Sequence, residues 1–177
     1  GDLFQFANKR ACELAIKAKE LSNKNIFIAG SLPAQNDTYE VDKRQKNIIE
    51  KDFFDQASII NPYIDFFYLD VLSSGREVEI ASKIIKKFNK PVLVGLHIKK
   101  NGKLASNETI TNIVKKYKSN NWLGVVAACV SIEIIEKISD ELKNLNTPFG
   151  FKANLWGVEE PLPVYRFNDA RHNEVGK

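Results

Sequence analysis

Short apolar runs alternate along this chain with longer amphipathic stretches. Five runs of β-branched and small apolar residues predict buried strands at 25–30, 64–70, 91–97, 122–129 and 148–154. The remaining stretches repeat apolar residues at helical spacing and predict helices over 3–21, 43–57, 73–88, 106–118 and 131–142. In the first helix this pattern predicts an inward apolar stripe made of Leu3, Phe6, Ala7, Ala11, Leu14, Ala15, Ala18 and Leu21.

The strand-helix period predicts how the strands pair. At roughly thirty residues per unit, the strands should be parallel and joined by right-handed crossovers. Two α/β architectures remain open, namely a doubly wound open sheet and part of a (β/α)8 TIM barrel, which in full needs about 250 residues. No glycine-rich phosphate loop follows any predicted strand, which weakens the nucleotide-binding open sheet. We expect residues 1–177 to form a single domain, with an irregular C-terminal segment over 155–177.

Composition narrows the classes of partner. The chain is 44% hydrophobic and 27% charged, a balance typical of a folded globular domain. Its net charge of +4 comes from dispersed lysines, so a nucleic-acid partner is not expected. No apolar run approaches the ~18 residues of a membrane span, and no signal pattern opens the chain. We therefore expect no membrane partner and a cytoplasmic location.

Two further compositional features concern processing and redox chemistry. Cys12 and Cys129 are the two cysteines, too few for a disulfide framework, and we interpret Cys12 as a packing residue of the first helix. The sequence has no methionine and opens inside a helical pattern, which we interpret as a fragment of a longer protein. A processed N-terminus is the alternative.

A polar residue stands at or just after each predicted strand; these residues are Ser31, Asp70, His97, Cys129 and Asn154. The carboxyl ends of parallel strands form the edge where α/β enzymes hold their chemistry. Each residue also has a purely structural explanation. Cys129 could be a small buried hydrophobe, Asp70 a helix cap and His97 a core histidine. Ser31 and Asn154 could be turn residues.

Several of these segments resemble, in the same order, the motifs of one enzyme family. They are Ala-Gly-Ser-Leu-Pro at 29–33 with Tyr39 downstream, the strand at 65–70 with Glu77 seven residues after Asp70, Pro-Val-Leu-Val at 91–94 with the turn at 101–104, and the segments 124–129 and 148–154. The family is that of the homocysteine S-methyltransferases, which are zinc-dependent barrels. The resemblance implies that the chain forms about strands three to seven of such a barrel.

The same resemblance implies an activity and a role for each site residue. The activity is transfer of a methyl group from a methyl donor to the thiol of homocysteine, giving methionine. Cys129 would be one zinc ligand, and Asp70 would bind the homocysteine amino group in place of the family's Glu. Ser31 would lie near the substrate carboxylate, and Asn154 would shape the pocket floor.

The chain also departs from the family pattern. It lacks the Gly-Gly-Cys-Cys motif that supplies two further zinc ligands and the Asp-Gly-Gly motif of the first strands. Ala128 stands where the family has Asn, and Asp70-Val71 replaces Glu-Thr. Because one thiolate cannot hold a catalytic zinc, we expect an incomplete ligand set and no activity from this chain alone.

Two alternatives therefore stay open. One is a divergent, non-catalytic barrel relative that binds a small amino acid or thiol without zinc. The other is an unrelated open-sheet enzyme, which a strand order that reverses within the sheet would favour.

Overall fold

A computed structural model of the chain describes residues 2–154. The elements follow in the order α1 (Asp2–Ser22), β1 (Ala29–Pro33), α2 (Lys46–Ile60), a 3₁₀ turn (Asn61–Tyr63), β2 (Phe66–Leu72), α3 (Gly75–Lys86), β3 (Val92–Leu96), α4 (Ile110–Tyr117), β4 (Trp122–Val130), α5 (Ile132–Lys143) and β5 (Phe149–Ala153). Strand and helix alternate as predicted. The irregular segment expected over 155–177 lies outside the described residues.

The described strands form one parallel sheet in which each strand pairs with its successor, in the order β1-β2-β3-β4-β5. An open doubly wound sheet would reverse its strand order at a switch point. No reversal occurs between β1 and β5. The predicted parallel β/α arrangement is confirmed, and its strand order is that of a barrel wall.

The sheet is strongly curved. Cα atoms of β2 and β4 approach within 8 Å although β3 lies between them. In a flat sheet two strand spacings would separate these strands by about 9.5 Å. The helices pack in chain order along one side of this sheet, each against the next. The helices therefore cover the convex face, and the concave face is left for the site.

The core lies between the sheet and the helices. Alternate strand residues point into it, and they are fully buried where a helix covers them, as for Leu32, Phe67, Leu69 and Val94. The strand residues between these point to the concave face, where Ser31 is exposed and Tyr68 is half-buried. Period-two alternation thus separates the packing residues from the candidate site residues.

The first strand starts later than predicted. The apolar run suggested 25–30, but the strand is Ala29–Pro33, and Ile26 and Phe27 are exposed. The reason is its partner, because β2 begins only at Phe66, which pairs with Ala29. Ser31 therefore lies within a strand rather than in the predicted loop.

The first helix packs by a different face from the one predicted. Leu3, Phe6, Leu14 and Leu21 are exposed, whereas Cys12 is buried against the core. The contacting face includes Asn8, whose side-chain oxygen accepts a hydrogen bond from Gln56 of α2 at 3.1 Å. The apolar stripe lies outside this contact, and the prediction that it faces inward was wrong. Although α1 has 21 residues, no helix within residues 2–154 is long and apolar enough to cross a membrane.

Close strand packing predicts a test of the fold. A Cβ atom added at Gly124 of β4 would lie 2.6 Å from the backbone oxygen of Pro148, which cannot move independently of β5. We expect Gly124→Ala to lower the free energy of unfolding by about 1–3 kcal/mol, measured by urea denaturation.

Gly150→Ala is the matched control, because its Cβ would have only a side-chain methyl at 3.9 Å as its nearest neighbour. Its stability should be unchanged or slightly raised. Equal destabilisation by both substitutions would contradict the described β4–β5 contact.

Candidate functional site

The concave side of the strand ends carries an ion pair between distant parts of the chain. Lys152 Nζ of β5 donates to both carboxylate oxygens of Asp70 in β2, at 2.9 Å each. Two strands lie between these residues, and a flat sheet would place their backbones about 14 Å apart. The sheet curvature and the length of the lysine side chain together allow the contact. The Asp70 side chain is 20% exposed and that of Lys152 is 48% exposed, so the pair lies at the surface of a recess.

Tyr68 lies beside this ion pair. It precedes Asp70 by two residues in β2 and therefore shares its face. Lys152 Nζ lies 5.6 Å from the centre of the tyrosine ring. Burial raises the pKa of Tyr68 well above its usual range, and the neighbouring acidic groups Asp70 and Cys129 raise it further. Its hydroxyl is buried and makes no hydrogen bond of good geometry within the described residues, and the raised pKa keeps it protonated.

A glycine in the neighbouring strand makes room for that tyrosine. A Cβ atom at Gly95 of β3 would lie 2.8 Å from the Tyr68 hydroxyl and 2.7 Å from the Leu69 backbone oxygen. Any side chain there would push the ring out of its position. Gly95 therefore positions Tyr68 between Asp70 and β4.

The backbone is unusual at two strand ends. Val71 has a φ of 61° and Cys129 a φ of 54°, both in the left-handed region. The strand register shifts at the same two places, between Leu69 and Leu72 and between Ala128 and Val130. A β-branched residue in this conformation is strained, and such strain concentrates at functional sites. Each bulge re-aims the side chains at the end of its strand.

Cys129 is a half-buried free thiol at the second of these bulges. It follows Ala128, which pairs in register with Lys152, and Lys152 contacts Asp70, so Cys129 lies near the Asp70–Lys152 ion pair. Cys12 lies on α1 and is buried against the core, where desolvation raises its thiol pKa. The two cysteines thus have different environments, and only Cys129 lies at the strand ends.

The other predicted residues lie along or near the same edge. Ser31 pairs with Tyr68 in the β1–β2 register and projects from the same face. The Asn154 backbone N–H donates to the Val130 carbonyl at 2.8 Å, which ties the end of β5 to the residue after Cys129. Asp70, Cys129 and Asn154 therefore lie toward the carboxyl ends of their strands, whereas Ser31 lies in the middle of β1 on the face of Tyr68. Their roles in binding stay predictions.

His97 packs beneath this edge. It is 9% exposed, and its ring centre lies 4.4 Å from that of Tyr39 in the loop after β1. Burial lowers the pKa of His97, and its hydrogen bonds to the backbone at Ala128 and Cys129 partly offset this. A neutral histidine here supports the Cys129 bulge from below. The structural interpretation of His97 agrees with this position.

Glu77 occupies a buried position at the start of α3. It is 1% exposed, and its Oε2 accepts a hydrogen bond from the Ser74 hydroxyl at 2.5 Å. The Ser74 hydroxyl in turn accepts from the Glu77 N–H and so caps the start of α3. Burial raises the pKa of the Glu77 carboxyl, and the charge of Asp42 raises it further, whereas the Ser74 hydroxyl opposes the shift.

The raised pKa of Glu77 gives a pH-dependent prediction. Folding favours the protonated carboxyl, so the contribution of Glu77 to stability is lost as the pH rises above the ordinary value of 4.5 toward the folded-state pKa. Glu77→Gln keeps the capping geometry without the charge. We expect this variant to be more stable than wild type at neutral pH and equally stable below pH 4.5, by urea denaturation across the pH range.

Glu79→Gln is the control, because Glu79 lies on the same helix with a lowered pKa caused mainly by Lys83. Its stability difference from wild type should have the opposite sign at neutral pH. A Glu77→Gln variant less stable than wild type at neutral pH would contradict the assigned direction.

The described residues fit a zinc site only in part. A thiol at a strand end is a suitable soft ligand, but catalytic zinc needs three protein ligands. No group of three or more His, Cys, Asp or Glu side chains within residues 2–154 could hold a metal ion. Cys129 alone therefore does not form a metal centre.

Two site residues were missed by sequence analysis. Lys152 interrupts an otherwise apolar strand, and Tyr68 shares the period-two face of Asp70. The alternation could have identified Tyr68. Nothing local connects Lys152 to Asp70, which lies 82 residues away in the sequence.

Comparisons with known proteins agree with this geometry. The homocysteine S-methyltransferase family model matches residues 2–172. No curated protein matches the chain. Among solved structures, the metallated homocysteine methyltransferase MmuM from Escherichia coli superimposes with a TM-score of 0.71 at 15% identity, covering 85% of this chain and 58% of that one.

Two other forms of that protein give similar results. The apo form has a TM-score of 0.67 at 13% identity, covering 85% of this chain and 60% of that one. The oxidised form has a TM-score of 0.68 at 15% identity and covers 85% and 57%. At these identities the likeness establishes the fold, a partial TIM barrel. The chain spans less than two thirds of the length of these structures.

Proposed function

The chain belongs to the homocysteine S-methyltransferase family, and from this premise we propose that the protein transfers a methyl group to the thiol of homocysteine, with methionine as product. The observation that carries this proposal is the position of Cys129. A free thiol stands on a left-handed bulge at the carboxyl end of a barrel strand, in the same recess as a carboxylate. Active sites of barrel enzymes are built at this end of the strands.

Asp70 is the proposed partner of the substrate ammonium group. Its carboxylate already holds a cation, the Lys152 ammonium, at 2.9 Å. Charge-assisted hydrogen bonds of this kind are stronger than neutral ones in a partly buried recess. Ser31 is proposed to face the substrate carboxylate from β1, and Asn154 to close the pocket beyond β4.

We propose Cys129 as one sulfur ligand of a zinc ion whose other protein ligands lie outside residues 2–154. Zinc, when bound, stabilises a coordinated thiol as a reactive thiolate. The described residues orient the substrate. Asp70 anchors its ammonium end, and Cys129 marks where its sulfur is held.

In the proposed reaction the homocysteine thiol loses its proton to solvent, and its sulfur forms a bond to the methyl carbon as the bond from that carbon to the donor breaks. The electron pair of the broken bond leaves with the donor. Such a displacement needs alignment of the sulfur, the carbon and the leaving group. A site built on strand ends gives this alignment, because the strands are held rigidly by their neighbours.

The proposed setting is the cytoplasm. Cys12 and Cys129 are both free thiols, and a ligating cysteine requires a reducing compartment to stay so. The proposed partners are homocysteine and a small methyl donor, without nucleic acid.

The proposal predicts that Cys129→Ser abolishes function. In the protein expressed from its own reading frame, we expect bound zinc to be lost and methyl transfer to homocysteine to fall by at least about 100-fold. Even outer-shell changes at zinc sites cost 10–100-fold, and a direct ligand should cost more. Metal content by mass spectrometry and methionine formation are the measurements.

Cys12→Ser is the matched control, since it removes the buried thiol of α1 and leaves the recess intact. It should retain zinc and activity. Unchanged zinc and activity in Cys129→Ser would rule out the ligand role. A wild-type protein that binds homocysteine without zinc and transfers no methyl group would favour the non-catalytic barrel, a function consistent with one sulfur donor in the described residues.

A second prediction concerns Asp70. Asp70→Asn removes the charge that would hold the substrate ammonium but keeps the side-chain shape. We expect the KM for homocysteine to rise about tenfold with a smaller change in kcat, because uniform binding is lost. Asp140→Asn is the control, at an aspartate 90% exposed on α5. An unchanged KM in Asp70→Asn would exclude this contact.

A further inference from the structure

The Asp70–Lys152 pair has an unusual arrangement for a site that receives a charged ligand. Both carboxylate oxygens of Asp70 face one ammonium group, so the side chain has a cation partner before any ligand arrives. Lys152 reaches it across the recess from β5 and remains 48% exposed. A flexible lysine with this much exposure can turn to another anion at small cost.

The number of ion pairs before and after binding indicates which ligand the Asp70–Lys152 pair accepts. A ligand with only an ammonium group replaces Lys152 at Asp70 and leaves Lys152 without an anion. A ligand with only a carboxylate binds Lys152 and leaves Asp70 without a cation. A zwitterion replaces one internal ion pair by two, one at each residue.

We propose that Asp70 and Lys152 together form a clamp for the α-ammonium and α-carboxylate groups of an amino-acid substrate, with Lys152 as the carboxylate partner. This inference rests on the proposed function and deepens it, because it selects α-amino-acid thiols over thiols with one charged group. Lys152 becomes a specificity-determining residue in addition to Ser31.

The position of the clamp agrees with the proposed chemistry. Lys152 pairs in register with Ala128, the residue before Cys129. Tyr68 lies against Lys152 on one side and is affected by both Asp70 and Cys129. An amino acid held by the two charges therefore lies next to Cys129, where its side-chain sulfur is needed.

A competing role for Lys152 is that of a plug that the substrate must displace. The two roles differ in ligand preference. A plug that only blocks Asp70 gives homocysteine and a thiol with an ammonium group alone the same affinity, whereas a clamp prefers homocysteine as long as Lys152 is present.

The test measures dissociation constants by calorimetry for the protein expressed from its own reading frame. The ligands are homocysteine, 4-mercaptobutyrate, which lacks the ammonium group, and 3-aminopropane-1-thiol, which lacks the carboxylate. The variants are wild type, Lys152→Met and, as control for one lost positive charge at the same end of the strands, Lys103→Met in the exposed loop after β3.

We expect wild type to prefer homocysteine over both single-charge thiols. Lys152→Met should bind 3-aminopropane-1-thiol about tenfold more tightly than wild type, because Asp70 is then free and one charged hydrogen bond is gained. Homocysteine should bind with nearly unchanged affinity, since it also gains one ion pair, so its preference over 3-aminopropane-1-thiol is lost. 4-Mercaptobutyrate should not gain affinity, because no cation remains for its carboxylate. Lys103→Met should match wild type for all three ligands.

A preference for homocysteine over 3-aminopropane-1-thiol that persists in Lys152→Met overturns the clamp, and so does a wild type that shows no such preference. Methyl transfer by wild type is measured alongside. A protein that transfers methyl groups but shows no Lys152 effect refutes the clamp alone. A protein that shows the Lys152 effect without methyl transfer refutes the proposed function alone.

Discussion

Pairing of each parallel strand with its successor in the chain is the interaction on which the site depends. It leaves the sheet free to curve in one direction, and the helices that cover one face make that face convex. Curvature brings β2 within reach of β5 across two intervening strands, so that Lys152 contacts Asp70. In a flat sheet the same residues would lie on separate parts of the surface. The recess and its charges are thus consequences of strand order.

Packing on the convex face and chemistry on the concave face have different requirements. The convex residues are aliphatic or aromatic and buried under helices, and they supply the hydrophobic free energy of folding. The concave residues include a serine, a tyrosine, an aspartate and a lysine, which need solvent or partners. Gly95 and Gly124 allow this division by letting neighbouring groups approach where a Cβ atom would collide. Glycines in the strands therefore make room for the site residues as well as for close packing of the strands.

The two left-handed residues connect the fold to the proposed chemistry. Val71 and Cys129 each end a regular ladder at a bulge, on strands separated by β3. His97 lies at the end of β3 between them and is buried against the Cys129 backbone and Tyr39. Strain of this kind persists only when surrounding contacts hold it in place. The loop after β1 contributes to that support through the Tyr39 contact and through Arg76, which donates to the Asp42 and Arg44 carbonyls at 2.8 Å.

Local periodicity in the sequence determined the alternation of strands and helices, the parallel sheet and the placement of Asp70, Cys129 and Asn154 at or near strand ends. These follow from the sequence because each depends on residues a few positions apart. The packing face of α1, the start of β1 and the Asp70–Lys152 pair were decided by tertiary structure. Each depends on a partner elsewhere in the chain, such as Phe66 for β1, and hydrophobic spacing carries no information about that partner.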